Sequence, residues 1–414
     1  MVAEKVVLNT HRIRPRSRVG HYARLLTPDA LAAAKLPLAR DLPMRVERIT
    51  RLARGPRNRN HERMRSLVVS AGGEFRWRAV RSPVLPGPHG ALVRPLAVAT
   101  CDVDRAMILG RTIFPLPLHL GHECAAEVVE VGELVSTVRV GDRVVVPFQI
   151  SCGACSSCRC GHTASCMAVP PTSMYGFGIS GGLWGGALAD LMAVPFADAM
   201  LVRLPSGVDA AAAAGVADNI SDAYRQVAPH LPGLLAADPD AEVLIVGRLE
   251  RNHPFTSSAV LFTALIARAL GARRIGVVDT WPVLRERAEE LGFQAWDPHR
   301  PRTWPTAALT VDATGTPGGL RHVLRHTAPD GICTCVWSLH RKASVPLAAC
   351  YVRNVTLHVG RAHVRSVMPD VLGMIATGEL QPELVTTNIA SFDDAPAALR
   401  EHCYGDALKT ILTV

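Results

Sequence analysis

Long apolar runs are missing from this chain: nowhere do eighteen or more hydrophobic residues follow one another, so no ordinary membrane-spanning helix is expected. The sequence also lacks a charged n-region leading into an apolar h-region, so no secretory signal is expected and the cytoplasm is the expected compartment. Aromatic residues make up only 5% and form no stacking pattern that would suggest a substrate. Internal repeats and low-complexity tracts are absent. What remains is a globular composition, 48% hydrophobic and 20% charged, with room in 414 residues for two domains. In a reducing compartment the eleven cysteines read as thiols and metal ligands, because disulfides rarely persist there.

The net charge of +9 is unevenly spread. Residues 1–63 hold fifteen Lys or Arg against five Asp or Glu, which leaves the remainder close to neutral. One reading of this basic extension is an electrostatic arm for nucleic acid or another polyanion. Another is a poorly ordered tail, or a start upstream of the true one at Met64. The arm lacks interleaved aromatics and any nucleic-acid motif, which favours the tail. A transit peptide fits the arginines, yet Ser17 is the arm's only serine. Nucleic acid is therefore expected as a partner only through this arm, if at all.

From Met64 the texture changes to short Val- and Leu-rich segments, Arg65–Val69, Ala91–Val98 and Ala125–Val131, parted by Gly and Pro turns. Gly141-Asp142-Arg143 is a turn that feeds Val144–Val146. From about Asp209 strands alternate with helices. Strands are expected at Glu242–Val246, Arg274–Val278, Leu309–Asp312 and Gly331–Val336, and helices at Ser258–Leu270, Leu284–Leu291 and Leu320–His326. That alternation implies βαβ units and a parallel sheet. The fold class is thus α/β, a mainly β part followed by a doubly wound part.

Cys152, Cys155, Cys158 and Cys166 follow the spacing C-x2-C-x2-C-x7-C. Short loops let four sulfurs converge on one tetrahedral Zn²⁺, and four thiolates leave no open position, so the site reads as structural. Gly153 and Gly161 give the knuckle its backbone freedom. Cys160 is a fifth cysteine in the loop, either a bystander or a swap ligand. Elsewhere, Gly121-His122-Glu123 lies between an apolar approach and a Val-rich run, with Cys101, Asp102, Val103 and Asp104 upstream. One Cys, one His and a carboxylate can make a three-ligand zinc site with an open fourth position. Taken alone, His122 reads more readily as a satisfied core histidine.

The run Gly121-His122-Glu123, then Val128-Val129-Glu130-Val131-Gly132, then Val140-Gly141-Asp142-Arg143-Val144, resembles the signature of the zinc-containing medium-chain dehydrogenase (alcohol dehydrogenase) family. The resemblance extends from Met64 to the C-terminus, about 85% of the chain. It implies a GroES-like catalytic domain over 64–215, a Rossmann domain over 216–360 and a C-terminal return over 361–414, after the extension at 1–63. It also implies a catalytic zinc, for two zinc ions per chain in all. Cys101 and His122 match its first two ligands, and Asp218 falls where the family places the third, with Asp222 a nearby rival. Glu123 and Asp104 match acids that orient the ligands. The implied activity is hydride transfer between an alcohol or carbonyl compound and NAD(H), often in a homo-oligomer.

Two departures stand out. Val103 occupies a position where the family carries a proton-relaying Ser or Thr. After Val246 the chain reads Gly247-Arg248-Leu249-Glu250-Arg251-Asn252-His253-Pro254, with one glycine where a dinucleotide turn needs more, and Val260 falls near the third glycine position. Arg248 and Arg251 either bind phosphate by charge or are solvated loop residues. Asp279, at a strand end, is expected on the adenosine ribose 2′-OH, which favours NAD over NADP, or is a turn aspartate. Thr314 resembles the family's turn below the nicotinamide ribose, and Arg365, with Arg361 as competitor, its pyrophosphate arginine. The degraded glycine turn leaves two alternatives open: a zinc-dependent lyase or isomerase on a carbonyl substrate, and a non-catalytic descendant.

Overall fold

The structure, a computed structural model, describes residues 62–112, 114–300, 304–336, 338 and 343–414. The basic extension lies almost wholly outside the described residues. Three sheets organise the rest.

A small antiparallel sheet has the order β2-β1-β4, from β1 (Arg63–Val69), β2 (Phe75–Arg81) and β4 (Leu118–His119). The largest sheet has the order β15-β16-β3-β5-β6-β8. Its strands are β3 (Ala91–Ala99), β5 (Glu123–Val131), β6 (Arg143–Val146), β8 (Val202–Arg203), β15 (Asn388–Ser391) and β16 (Thr410–Thr413), and β7 (Met192–Val194) also pairs with β3. The C-terminal strand β16 runs antiparallel to β3, placing Ile411 opposite Ala99. The chain thus returns at its end to the sheet it built first. Val93, Val128, Val144 and Val145 are fully buried there, as β-branched side chains on a pleated inner face should be.

The third sheet is parallel, with the order β11-β10-β9-β12-β13-β14. It comprises β9 (Glu242–Val246), β10 (Arg274–Val278), β11 (Gln294–Trp296), β12 (Ala307–Asp312), β13 (Thr327–Cys335) and β14 (Thr356–Val359). Counted from β9 this is the order 3-2-1-4-5-6 of a doubly wound dinucleotide-binding sheet. Val243, Leu244, Ile245 and Val246 are all fully buried, the expected pattern for a central strand covered on both faces.

Four helices position the site: α1 (Asp102–Ile108) after β3, α2 (Asn219–Val227), α3 (Ser258–Ala269) after β9, and α4 (Val364–Ala376). Ten of the twelve residues of α3 are buried, from Ser258 to Ala267, so this helix lies in the core with no solvent stripe. No helix of the described residues is long and apolar enough to cross a membrane.

Candidate metal centres and the turn after the first parallel strand

Cys101 lies two residues past β3 and caps α1, its backbone N–H donating to Asp104 Oδ2 at 2.8 Å. His122 and Glu123 enter β5, and Asp218 precedes α2. Four segments far apart in sequence therefore meet: one ligand atom each of Cys101, His122, Glu123 and Asp218 lies within 4.8 Å of the others. Asp218 Oδ2 stands 3.4 Å from Cys101 Sγ and 3.3 Å from His122 Nε2. The rival Asp222 turns away, accepting from Arg225 at 2.9 Å and Gln226 at 3.3 Å.

The electrostatics of this cluster ask for a cation. Burial raises the Cys101 thiol well above its usual range, and the carboxylates of Asp218, Glu123 and Asp104 raise it further. Burial works against a charged His122, but Asp104, Asp218 and Glu123 outweigh it and lift the imidazole to about 9. Neither ring nitrogen has a hydrogen-bond partner among the described residues; Nδ1 faces Asp104 Oδ1 at 3.6 Å. A buried thiol, an imidazole with a free Nε2 and a carboxylate form a donor set suited to Zn²⁺.

Other residues at this centre were not legible in the sequence. Lys409, on the approach to β16, donates to Glu123 Oε2 at 2.6 Å, and both side chains are almost fully buried. Burial presses Glu123 upward, and the Lys409 ammonium beside it pulls it back down. Asn219 gives its backbone N–H to Glu123 at 3.3 Å and its side-chain amide to Ser258 Oγ at 3.1 Å. The His122 ring lies 4.8 Å from Phe177 and 5.8 Å from Phe148, and Phe114 meets Phe177 edge-on at 4.8 Å. A chain with few aromatics has placed two of them beside one histidine and backed one of those with a third. Val103 is buried in α1, so the relay position carries no hydroxyl.

The sulfurs of Cys152, Cys155, Cys158 and Cys166 lie within 4.8 Å of one another, while Cys160 is exposed and outside the group. Backbone N–H groups point at the sulfurs: Cys155 N to Cys152 Sγ at 3.3 Å, Cys152 N to Cys166 Sγ at 3.3 Å, and Met167 N to Cys155 Sγ at 3.4 Å. Such donors favour thiolates, and this donor set also suits Zn²⁺. The knuckle leans on α4, where Ala164 N donates to His363 Nδ1 at 3.2 Å and Ser366 Oγ donates to the Gly161 carbonyl.

The turn after β9 holds a surprise. Gly247 is required by a carboxylate of the chain itself, because a Cβ there would fall 2.3 Å from Asp279 Oδ2 and 3.1 Å from Val260. Arg248, expected as a phosphate ligand, instead lies buried on Asp279, with Nε–Oδ1 at 3.1 Å and N–Oδ2 at 2.9 Å. Its guanidinium stacks 4.0 Å over the Trp281 ring, whose backbone N–H completes the Asp279 shell at 2.7 Å. Arg251 is exposed, in keeping with a solvated loop residue.

Further along, His253 Nδ1 accepts from Phe255 N at 3.3 Å, which makes Nε2 the donor to the Thr314 carbonyl at 2.7 Å. At the start of α3, Asp102 accepts from Ser258 N at 2.8 Å, Ser258 Oγ at 2.7 Å, Ala259 N at 2.8 Å and Thr256 Oγ1 at 2.6 Å. Arg365 lies in the first turn of α4 with its Nε unpartnered among the described residues, while burial lowers Arg361 and the charge of Asp218 partly offsets it. Asp102, Arg248 and His253 thus make their contacts at the start of α3 and at the ends of β10 and β12, the parts of a doubly wound sheet that face a dinucleotide.

Comparison with known proteins agrees with the geometry. Residues 87–206 match the alcohol dehydrogenase GroES-like domain. A probable zinc-binding alcohol dehydrogenase of Mycobacterium tuberculosis is 29% identical over 80% of this chain and 83% of its own length. A geraniol dehydrogenase of Castellaniella defragrans is 29% identical over 84% of this chain and 96% of its own. Among solved structures, an alcohol dehydrogenase from Thermus sp. ATN1 superposes with a TM-score of 0.73 at 29% identity, covering 85% of this chain and all of the other.

Proposed function

The chain belongs to the zinc-containing medium-chain alcohol dehydrogenase family, and from that premise we propose that it is a zinc-dependent oxidoreductase exchanging hydride between an alcohol, aldehyde or ketone and NAD(H). The observation that carries this reading is the convergence of Cys101, His122 and Asp218, with Glu123, within 4.8 Å at a buried site. Cys101, His122 and Asp218 would hold the catalytic zinc, and the four-cysteine knuckle the structural one. A zinc ion held at the first of these sites would supply Lewis acidity at the substrate oxygen. The nicotinamide ring supplies the hydride acceptor or donor.

The chain's own residues do the rest. Asp104 faces the far ring nitrogen of His122 at 3.6 Å, a charge that favours the ring with Nε2 turned toward the cluster. Lys409 balances Glu123, so the centre does not carry an extra uncompensated buried charge. Phe148 and Phe177, with Phe114 behind Phe177, present an apolar wall beside His122, which suits an apolar alcohol such as the one that names the geraniol relative. Asp279, at the end of β10, favours NAD over NADP within this reading.

Other parts of the reading rest on coarser support. The domain limits proposed are 64–215, 216–360 and 361–414. All eleven cysteines are free, which supports a cytoplasmic home. Leu347, Tyr351, Val352 and Val359 are exposed at the β14 edge of the parallel sheet, which supports a homo-oligomer.

The test is spectrophotometric. Zinc-loaded protein given NAD⁺ and a panel of primary and secondary alcohols should produce absorbance at 340 nm. Asp218→Ala should lose one zinc and at least 100-fold in rate, on the order of 3 kcal/mol in the barrier. An Asp218→Ala protein with two zinc ions and full activity would remove Asp218 from the ligand set.

A further inference from the structure

We propose that the dinucleotide site is held shut by a latch of the chain's own groups, and that NAD(H) binds only by displacing Asp102 from α3 and Arg248 from Asp279. The proposal rests on the hydride-transfer reading above, since it concerns that cofactor's site.

In a doubly wound sheet the pyrophosphate sits at the N-terminus of the helix after the first strand, where free N–H groups and the helix dipole favour an anion. Here that helix is α3, and the anion is the Asp102 carboxylate. It takes the N–H groups of Ser258 and Ala259 together with the hydroxyls of Ser258 and Thr256. The Ser257 side chain, at the helix's own capping position, makes no cap, so the cap comes from a residue 155 positions earlier in the chain. Asp102 is fully buried. Four donors converge on one carboxylate, as they would on a phosphate.

The second seat is filled with the opposite sign. A carboxylate at the end of the second strand normally waits for the ribose hydroxyls. Asp279 does not wait: Arg248 and the Trp281 N–H already use both of its oxygens. Arg248 is held from the other side by the Trp281 ring. The third contact pins the loop between them, His253 reaching the Thr314 carbonyl while Arg105 of α1 grips the His253 carbonyl at 3.2 Å.

These contacts also tie the cofactor site to the metal cluster. Asp102 follows Cys101 directly, so releasing α3 frees the first residue of α1 beside the thiol. A site populated mostly in the shut form binds with an affinity reduced by the open fraction. Breaking the latch therefore tightens binding, the reverse of what removing a cofactor ligand does.

The experiment is a fluorescence titration of NADH into zinc-loaded full-length protein, comparing the native chain with Asp102→Asn, Arg248→Ala and the double variant, zinc content being checked in each. The latch predicts that Kd falls tenfold or more in each single variant and further in the double. Equal or weaker binding by Arg248→Ala and Asp102→Asn, with native binding intact, overturns the latch and leaves the dehydrogenase reading standing. No binding to any of them at millimolar NADH overturns both. Hydrogen exchange on the native protein guards against a misfolded variant: saturating NADH should raise exchange over residues 248–257, and protection there would contradict the latch.

Discussion

At Cys155 burial and hydrogen bonding pull in opposite directions. Burial raises the thiol, but the Met167 and Cys158 N–H groups and the neighbouring cysteines win and bring it down to about 6. Burial and the same contacts push Cys158 and Cys166 upward, so the four sulfurs share protons as one set, and it is their convergence that marks a metal cage. Cys155→Ser should therefore lose about one zinc per chain and melt several degrees lower, by roughly 2–4 °C per kcal/mol lost. Mass spectrometry finding two zinc ions in that variant would contradict the assignment. His402 makes a second case. It is fully buried beside Thr100 and Thr410, and burial presses its imidazole down to about 4. Because the unfolded chain binds the proton at higher pH than the folded one, stability is lost as pH falls from about 6.5 toward 4. Denaturation at pH 7 and pH 5 should show about 2 kcal/mol more acid loss in the native protein than in His402→Asn; identical losses would contradict the buried neutral state. The residues legible in sequence were those in local patterns, the four cysteines and the Gly121-His122-Glu123 run. Lys409, Phe148 and Phe177 were not, because they reach His122 and Glu123 from other segments and no spacing announces them.

At the scale of elements, β9 and β10 begin and end where periodicity and flanking turns placed them, since buried central strands read as unbroken apolar runs. The three-residue β11 and the four-residue β14 were missed. Edge strands this short carry too little pattern, and β14 has three exposed positions of four. The turn after β9 shows the limit most clearly. Its sequence read as a damaged phosphate loop, and the long-range pairing of Arg248 with Asp279 that explains it has no local signature. Gly247 belongs to that pairing. Gly247→Ala places a methyl against Asp279 and Val260 and should cost about 1–3 kcal/mol by overpacking. An unchanged urea midpoint in that variant would show that the turn yields freely.

At the scale of the whole molecule, the last strand decides the architecture. β16 pairs with β3, and Lys409 just before it closes on Glu123, so the C-terminus completes the metal centre that Cys101 begins. The 3-2-1-4-5-6 sheet carries Asp279 and α3 to the same side of the molecule. The fold follows from strand and helix alternation, but which chemistry it performs depends on the few side chains at those junctions. The most direct test follows a label from an alcohol carbon. Two-zinc protein is supplied with NAD⁺ and an alcohol deuterated at its carbinol carbon, and the reduced cofactor is examined by mass spectrometry. Hydride transfer predicts one deuterium in the reduced nicotinamide for each carbonyl formed. Carbonyl formation with the deuterium lost to water, or no reduced cofactor from any alcohol at saturating NAD⁺, would contradict it.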